Sequence, residues 1–205
     1  VLPLGVDDSI FKEKTIIEKN SSIKQLLFVG RISRLKQIEV AIDSLVVLKN
    51  KNIECILNIV GPISDLTYYN ELKNLIIQLE LIDNVSFIAS VKQKQLVSFY
   101  QDADVLLLPS KHESFGMVIT EAMACGTPVI SLEGSGGPEE IIANGFDGFV
   151  IPSQNYSDTV LKLLSDQSLL KELSKNALVS VEDKWSQKIT AEILLGLINE
   201  NAFYD

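Results

Sequence analysis

Five successive pairs of an apolar, β-rich run and a helical pattern predict an α/β domain built on a doubly wound parallel sheet of about six strands. The apolar runs are nearly continuous rather than alternating, so helices are expected over both faces of the sheet. Parallel neighbours need crossover connections, and the helical segments between the runs supply them. A length of 205 residues, 46% of them hydrophobic and 22% charged, fits one compact domain over 1–205.

Residues 1–22 read as a lead-in. The first unit is "KQLLFVG" at 24–30 with "RLKQIEVAIDSLVVLKN", whose Ile38, Ile42, Leu45 and Leu48 recur at helical spacing. The second is "IECILNIVG" at 53–61 with "DLTYYNELKNLIIQLEL", and the third "NVSFIAS" with "KQKQLVSFYQDA". The fourth is "DVLLLPS" with "FGMVITEAMACG", where Gly126 and then Pro128 give the usual order of helix stop signals. "TPVISLE" with "GPEEIIANG" is the fifth. "GFVIP" at 148–152 reads as a sixth, short strand. From about Asn155 the chain is expected to be helical, ending in a terminal helix over about 185–205 with Trp185 as a packing residue near its start. No internal repeat, low-complexity tract or clear linker interrupts this order.

The 18 basic residues against 27 acidic ones, a net charge of −9, argue against a nucleic-acid surface. An anionic ligand therefore needs a local positive pocket. No apolar run reaches the roughly 18 to 20 residues of a membrane span, and "VLPLGVDDSIFKEK" has no basic segment ahead of a long apolar one, which predicts a soluble protein. Cys55 and Cys125 sit in hydrophobic contexts without metal-ligand spacing. Buried free thiols in a reducing compartment, the cytoplasm, are the expectation.

Open parallel sheets bind ligands at the carboxyl ends of their strands, which directs attention to the loops after Val29, Val60, Ile88, Leu108 and Leu132. In "GRISRLK", Gly30 permits a tight turn while Arg31, Arg34 and Lys36 gather positive charge ahead of a helix start, an anion site in outline. A basic surface loop is the plainer alternative. The stretch "SKHESFGMVITEAMACGTPVISLEGSGGPEE" at 110–140 places Glu113 and Glu121 among small, apolar and hydroxyl residues, with Gly116 at the start of a helix whose free amides attract anions. Were the segment helical from Glu113 onward, eight residues would set the two acids about 12 Å apart along the axis and about 80° around it. They would then serve opposite ends of one elongated ligand rather than share a proton. On spacing alone the plainer reading prevails, with Glu121 a partly exposed helix-surface acid and Glu113 a first-turn residue favoured by the helix dipole. His112 reads as a half-exposed loop residue or a contact to that ligand.

The segments "VLPLGVD", "LLFVGRISRLK", "NVSFIASV" and "ADVLLLPSKHESFGMVITEAMACGTPVISLEGSGGPEEIIANGFDGFVIP" occur in the order seen in the retaining glycosyltransferases of group 1, also called family four. The resemblance covers roughly 1–165, and its most specific part is Glu113-Ser114-Phe115-Gly116 with Glu121, "EAMACGTPVI" and the Gly137-Pro138-Glu139 turn. It implies a GT-B architecture of two facing Rossmann-like domains, of which this chain is similar to the second, donor-binding one. The lead-in would then arrive from an N-terminal acceptor domain of the same protein. The resemblance further implies that Arg31 and Lys36 contact the diphosphate of a UDP- or GDP-linked sugar, with Gly30 at the turn beneath them. Glu113 would contact the transferred sugar, and Glu121 the ribose. The region of Ser114 and the amides of Phe115, Gly116 and Met117 would lie near phosphates and sugar, and "FIASV" near the base. The resemblance implies no metal or other cofactor, in keeping with a fold that neutralises the leaving diphosphate by Arg, Lys and helix dipole. Glycan or lipid-linked acceptors, and peripheral association with the inner face of a membrane through the other domain, belong to the same implication.

The sequence departs from the family pattern at Leu4, where Asn is frequent, at Gln37, where Gly is frequent, and at "GPISD" after the second strand. Other readings are a non-catalytic nucleotide-sugar-binding module and half of a sugar-nucleotide epimerase. A dinucleotide-dependent oxidoreductase would rest on "GSGGPEE", which lacks the G-x-G-x-x-G spacing.

Overall fold

A computed structural model describes residues 4–13 and 22–201 of the chain. Six strands form one parallel sheet in the order β3-β2-β1-β4-β5-β6. They are β1 (Lys24–Val29), β2 (Cys55–Val60), β3 (Val85–Ile88), β4 (Val105–Leu108), β5 (Val129–Leu132) and β6 (Gly148–Ile151). Every residue of β4 and β5 is buried, as continuous apolar strands covered on both faces require. The crossovers are α1 (Ile38–Asn50), α2 (Leu66–Gln78), α3 (Gln93–Asp102), α4 (Met117–Ala124) and the short α5 (Gly137–Ile141). After β6 come α6 (Tyr156–Ser165), α7 (Gln167–Ser180), a π-turn at Val181–Trp185 and α8 (Gln187–Asn201). The strand–helix alternation, the sixth strand and the helical end follow the order legible in the sequence.

The helices earn their places by burial. α1 hides Ile38, Ala41, Ile42, Leu45 and Leu48 and packs on α6 and the sheet. Residues of the lead-in join the same core: Val6 and Phe11 are fully buried. The Val6 amide donates to the Trp185 carbonyl at 2.7 Å, and the Val6 carbonyl accepts from Gln187 at 3.0 Å. The amino end of the described chain is thus pinned to the start of α8. Cys55 and Cys125 are free, buried thiols, raised by burial to about 11 and about 12. No helix of the described residues is long and apolar enough to cross a membrane.

From β1 the chain winds to β2 and β3, then returns across to β4 and continues to β5 and β6 on the other side. The direction of winding therefore reverses between β1 and β4, and loops leaving their carboxyl ends diverge to form a crevice.

Candidate functional site

Two loops line that crevice. After β1 the chain turns through Gly30 into a 3₁₀ turn, Arg34–Lys36. After β4 it runs through 109–116 into α4, and the Lys111 amide donates to the Leu35 carbonyl at 2.8 Å, tying the loops together. Beside β1, the end of β2 approaches so closely that a Cβ on Gly61 would stand 2.0 Å from the Gly30 carbonyl oxygen. Only glycine fits there.

Across the crevice the Lys36 ammonium pairs with a Glu113 carboxylate oxygen, Oε1. Both side chains are largely withdrawn from water, at 14% and 11% exposure. The three cations of the first loop do not act together. Arg34 turns away to α2, bonded to Glu71 at 2.5 Å, 3.8 Å from Asp65, and 5.5 Å above the Tyr68 ring. Arg31 is exposed, with no ion-pair partner among the described residues. Nor is the start of α1 open to an anion, because the Ile38 amide donates to the Tyr68 hydroxyl at 2.7 Å and that hydroxyl donates to Glu39. Gln37, where glycine is frequent, holds φ +46° at this junction. The glycine preference there is a backbone requirement that this chain meets with a strained residue.

α4 differs. Its N-cap is Gly116 at φ +91°, a residue with no side chain to accept from the first amides, and no side-chain cap is present. Glu113 is not part of this helix, contrary to the continuous-helix geometry considered above. It is held strand-like against the glycine run after β5: its amide donates to the Ser135 carbonyl at 2.7 Å, and its carbonyl accepts from Gly137 at 3.0 Å. The "GSGG" run thus serves to seat Glu113. A Cβ on Gly137 would stand 2.2 Å from the Phe115 carbonyl oxygen, so the two loops meet backbone to backbone. Phe115 lies edge-on to Trp185 at 5.8 Å, and Trp185 packs as expected. Ser114 and His112 are exposed, and Met117 is part-buried at the first turn of α4.

Residues 9–179 match the family described as glycosyl transferases group 1. The chain belongs to that family. A D-inositol 3-phosphate glycosyltransferase of Pseudarthrobacter chlorophenolicus is 30% identical over 207 residues, which span 95% of this chain and 48% of that relative. This member thus spans about half the length of that relative. The solved C-terminal domain of a group 1 family protein from Francisella tularensis superposes with a TM-score of 0.80 at 25% identity, over 89% of this chain and all of that one. Anabaena HepE, solved with UDP and glucose, shares the fold with a TM-score of 0.82 at 23% identity, over 95% of this chain and 55% of that one. The group 1 assignment and the Rossmann-like GT-B fold anticipated from the motifs are therefore those of this chain.

Within this group 1 domain Glu121 sits on α4, one helical stretch beyond Glu113. Its carboxylate oxygen Oε2 accepts from the Tyr100 hydroxyl of α3 at 2.8 Å. Burial pushes the Glu121 carboxyl up, while the Tyr100 hydrogen bond acts in the opposite sense. Tyr100 was not foreseen as part of the site, because a tyrosine on an apolar helix face reads as core. Only its need for an acceptor when buried could have hinted at a partner. Hollows of 460 Å³ beside Glu54 and Asn84, 630 Å³ beside Asp104 and Pro128, and 620 Å³ beside Lys24 and Leu164 lie at the amino ends of the strands.

Proposed function

We propose that this chain is the donor-binding domain of a glycosyltransferase. It holds a nucleoside-diphosphate sugar along the carboxyl edge of the sheet, and with a second domain outside residues 1–205 it transfers the sugar to an acceptor with retention of anomeric configuration. One observation carries the reading: Lys36 and Glu113 converge at the uncapped start of α4, where the winding of the sheet reverses. The names of the relative and of the UDP-bound neighbour support the same substrate class.

In this reading Lys36 and the first amides of α4, around Phe115, Gly116 and Met117, meet the diphosphate, and Arg31 adds charge from the rim. Glu113 accepts from hydroxyls of the transferred sugar, and Glu121 from the ribose. An ammonium has three donors, so Lys36 can keep Glu113 while taking a phosphate oxygen. It thereby fixes the distance between sugar and leaving group. As the glycosidic bond breaks, negative charge grows on the departing diphosphate, and fixed donors in a half-buried setting stabilise it there.

Calorimetric titration with UDP, GDP and ADP tests the reading. One of them should bind with a micromolar to millimolar constant, about −4 to −8 kcal/mol. Failure of all three to bind a folded chain at millimolar concentration would overturn it.

A further inference from the structure

We propose that Tyr100 is a positioning residue for the nucleotide: its hydroxyl holds the Glu121 carboxylate so that one oxygen stays free to accept the ribose hydroxyls. The proposal rests on the reading that Glu121 takes the ribose. Tyr100 is fully buried on α3 and cannot easily leave its place. Phe11 of the lead-in lies edge-on to its ring at 5.9 Å, and its carbonyl accepts from the Thr127 hydroxyl at 2.6 Å. From that anchored position its only donor is spent on Glu121 Oε2, at 2.8 Å. Glu121 is itself part-buried on a short helix whose neighbours Thr120 and Ala122 are buried. A carboxylate in such a place turns about its last torsion unless a donor fixes it, because that torsion is broad. The Tyr100 bond sets its plane and leaves Oε1 without a partner among the described residues.

The same bond bears on charge. Among the described residues, the groups that interact with the Glu121 charge are the Tyr100 hydroxyl from α3 and the Cys125 thiol at the end of α4, which burial keeps neutral. A donor to the ionised carboxylate favours ionisation, whereas burial opposes it. Only the ionised form accepts from two ribose hydroxyls and from Tyr100 together.

The test compares wild type, Tyr100→Phe, Glu121→Ala and the double variant, with UDP and 2′-deoxy-UDP as probes, or GDP and its deoxy form should UDP not bind. Tyr100→Phe keeps the ring and its packing. It should weaken the ribonucleotide about 3- to 10-fold, the worth of one hydrogen bond. It should also narrow the preference for ribo over deoxy, and start the acid fall-off of binding at higher pH than in wild type. In the Glu121→Ala background the same change should add no loss. If Glu121→Ala weakens binding while Tyr100→Phe alters neither affinity, preference nor acid limb, the role of Tyr100 is refuted and the ribose assignment stands. Equal losses for ribo and deoxy probes, persisting without Glu121, would make Tyr100 merely structural and refute the proposal. If Glu121→Ala leaves binding untouched, the ribose assignment itself is wrong and Tyr100 has nothing to position.

Discussion

Lys36 and Glu113 pair in a place that water reaches poorly, so each would be costly to leave alone. Arg31 is exposed and Lys36 is not, which ranks them in the phosphate role proposed above. Lys36→Ala should weaken binding of the nucleoside diphosphate by roughly 2 to 5 kcal/mol and leave the bare nucleoside almost unaffected, as when a desolvated charge pair is broken. Arg31→Ala should cost less, because an exposed charge is screened by solvent. Calorimetry with both ligands decides; equal losses for nucleoside and diphosphate would mean that Lys36 supports the fold and not the phosphates. Glu121 makes a different prediction. Burial raises its carboxyl on folding, so its contribution to stability is fully present below the ordinary value of about 4.3 and is lost as pH rises through the raised value. At neutral pH the ionised side chain therefore costs stability. Glu121→Gln should raise Tm near pH 7, and the gain should shrink as the pH falls toward about 4. A gain independent of pH would exclude charge as its cause. Both acids stood out in the sequence through their motif. The Lys36–Glu113 contact did not, because it joins residues 77 positions apart and depends on where two loops leave a sheet.

At the scale of elements, the site is made by one helix start and the glycines that seat it. Gly137 has no room for a side chain: a Cβ would stand 2.2 Å from the Phe115 carbonyl oxygen and 2.7 Å from its Cα. Backbone cannot yield as a flexible side chain does, so Gly137→Ala must push 113–116 away from the turn after β5. The expected cost is about 1 to 3 kcal/mol of stability, typical of overpacking, with a loss of diphosphate affinity as the start of α4 shifts. Thermal melts and titration of the same variant check it; full stability with full affinity would show that the loops are free to separate. The strands and helices were legible because continuous apolar runs and helical periodicity are local signals. Two local geometries were not. Glu113 stands just ahead of a helix start and could have extended it, yet hydrogen bonds to Ser135 and Gly137 hold it extended. The basic loop reads as an anion site at the start of α1, yet a tyrosine from α2 occupies that helix end. Both outcomes are decided by partners more than 20 residues away.

For the whole molecule, the described ends of the chain bear on the two-domain reading proposed above. Val6 is hydrogen-bonded to both sides of the break before α8, so the start of the described chain and this last helix emerge together. On α8, Ile193, Leu194, Leu195, Leu197 and Ile198 are each at least 40% exposed, an apolar surface that residues 4–13 and 22–201 leave uncovered. The second domain proposed above, if joined at that end, would cover it. Binding and catalysis then separate. The diphosphate contacts proposed for Lys36, Arg31 and α4 lie within this chain, so residues 1–205 should bind the nucleoside diphosphate. Transfer also needs an acceptor held in line with the sugar and water kept out, and positioning of that kind is worth about 7 to 11 kcal/mol of barrier. Losing it slows transfer beyond detection. Purified residues 1–205 should therefore bind a nucleotide sugar without passing the sugar to any acceptor, while a longer form carrying the second domain does so. Product analysis after long incubation with donor and a mixture of glycan and lipid-linked acceptors makes the comparison, and sustained transfer by residues 1–205 alone would overturn the two-domain reading while leaving the donor site intact.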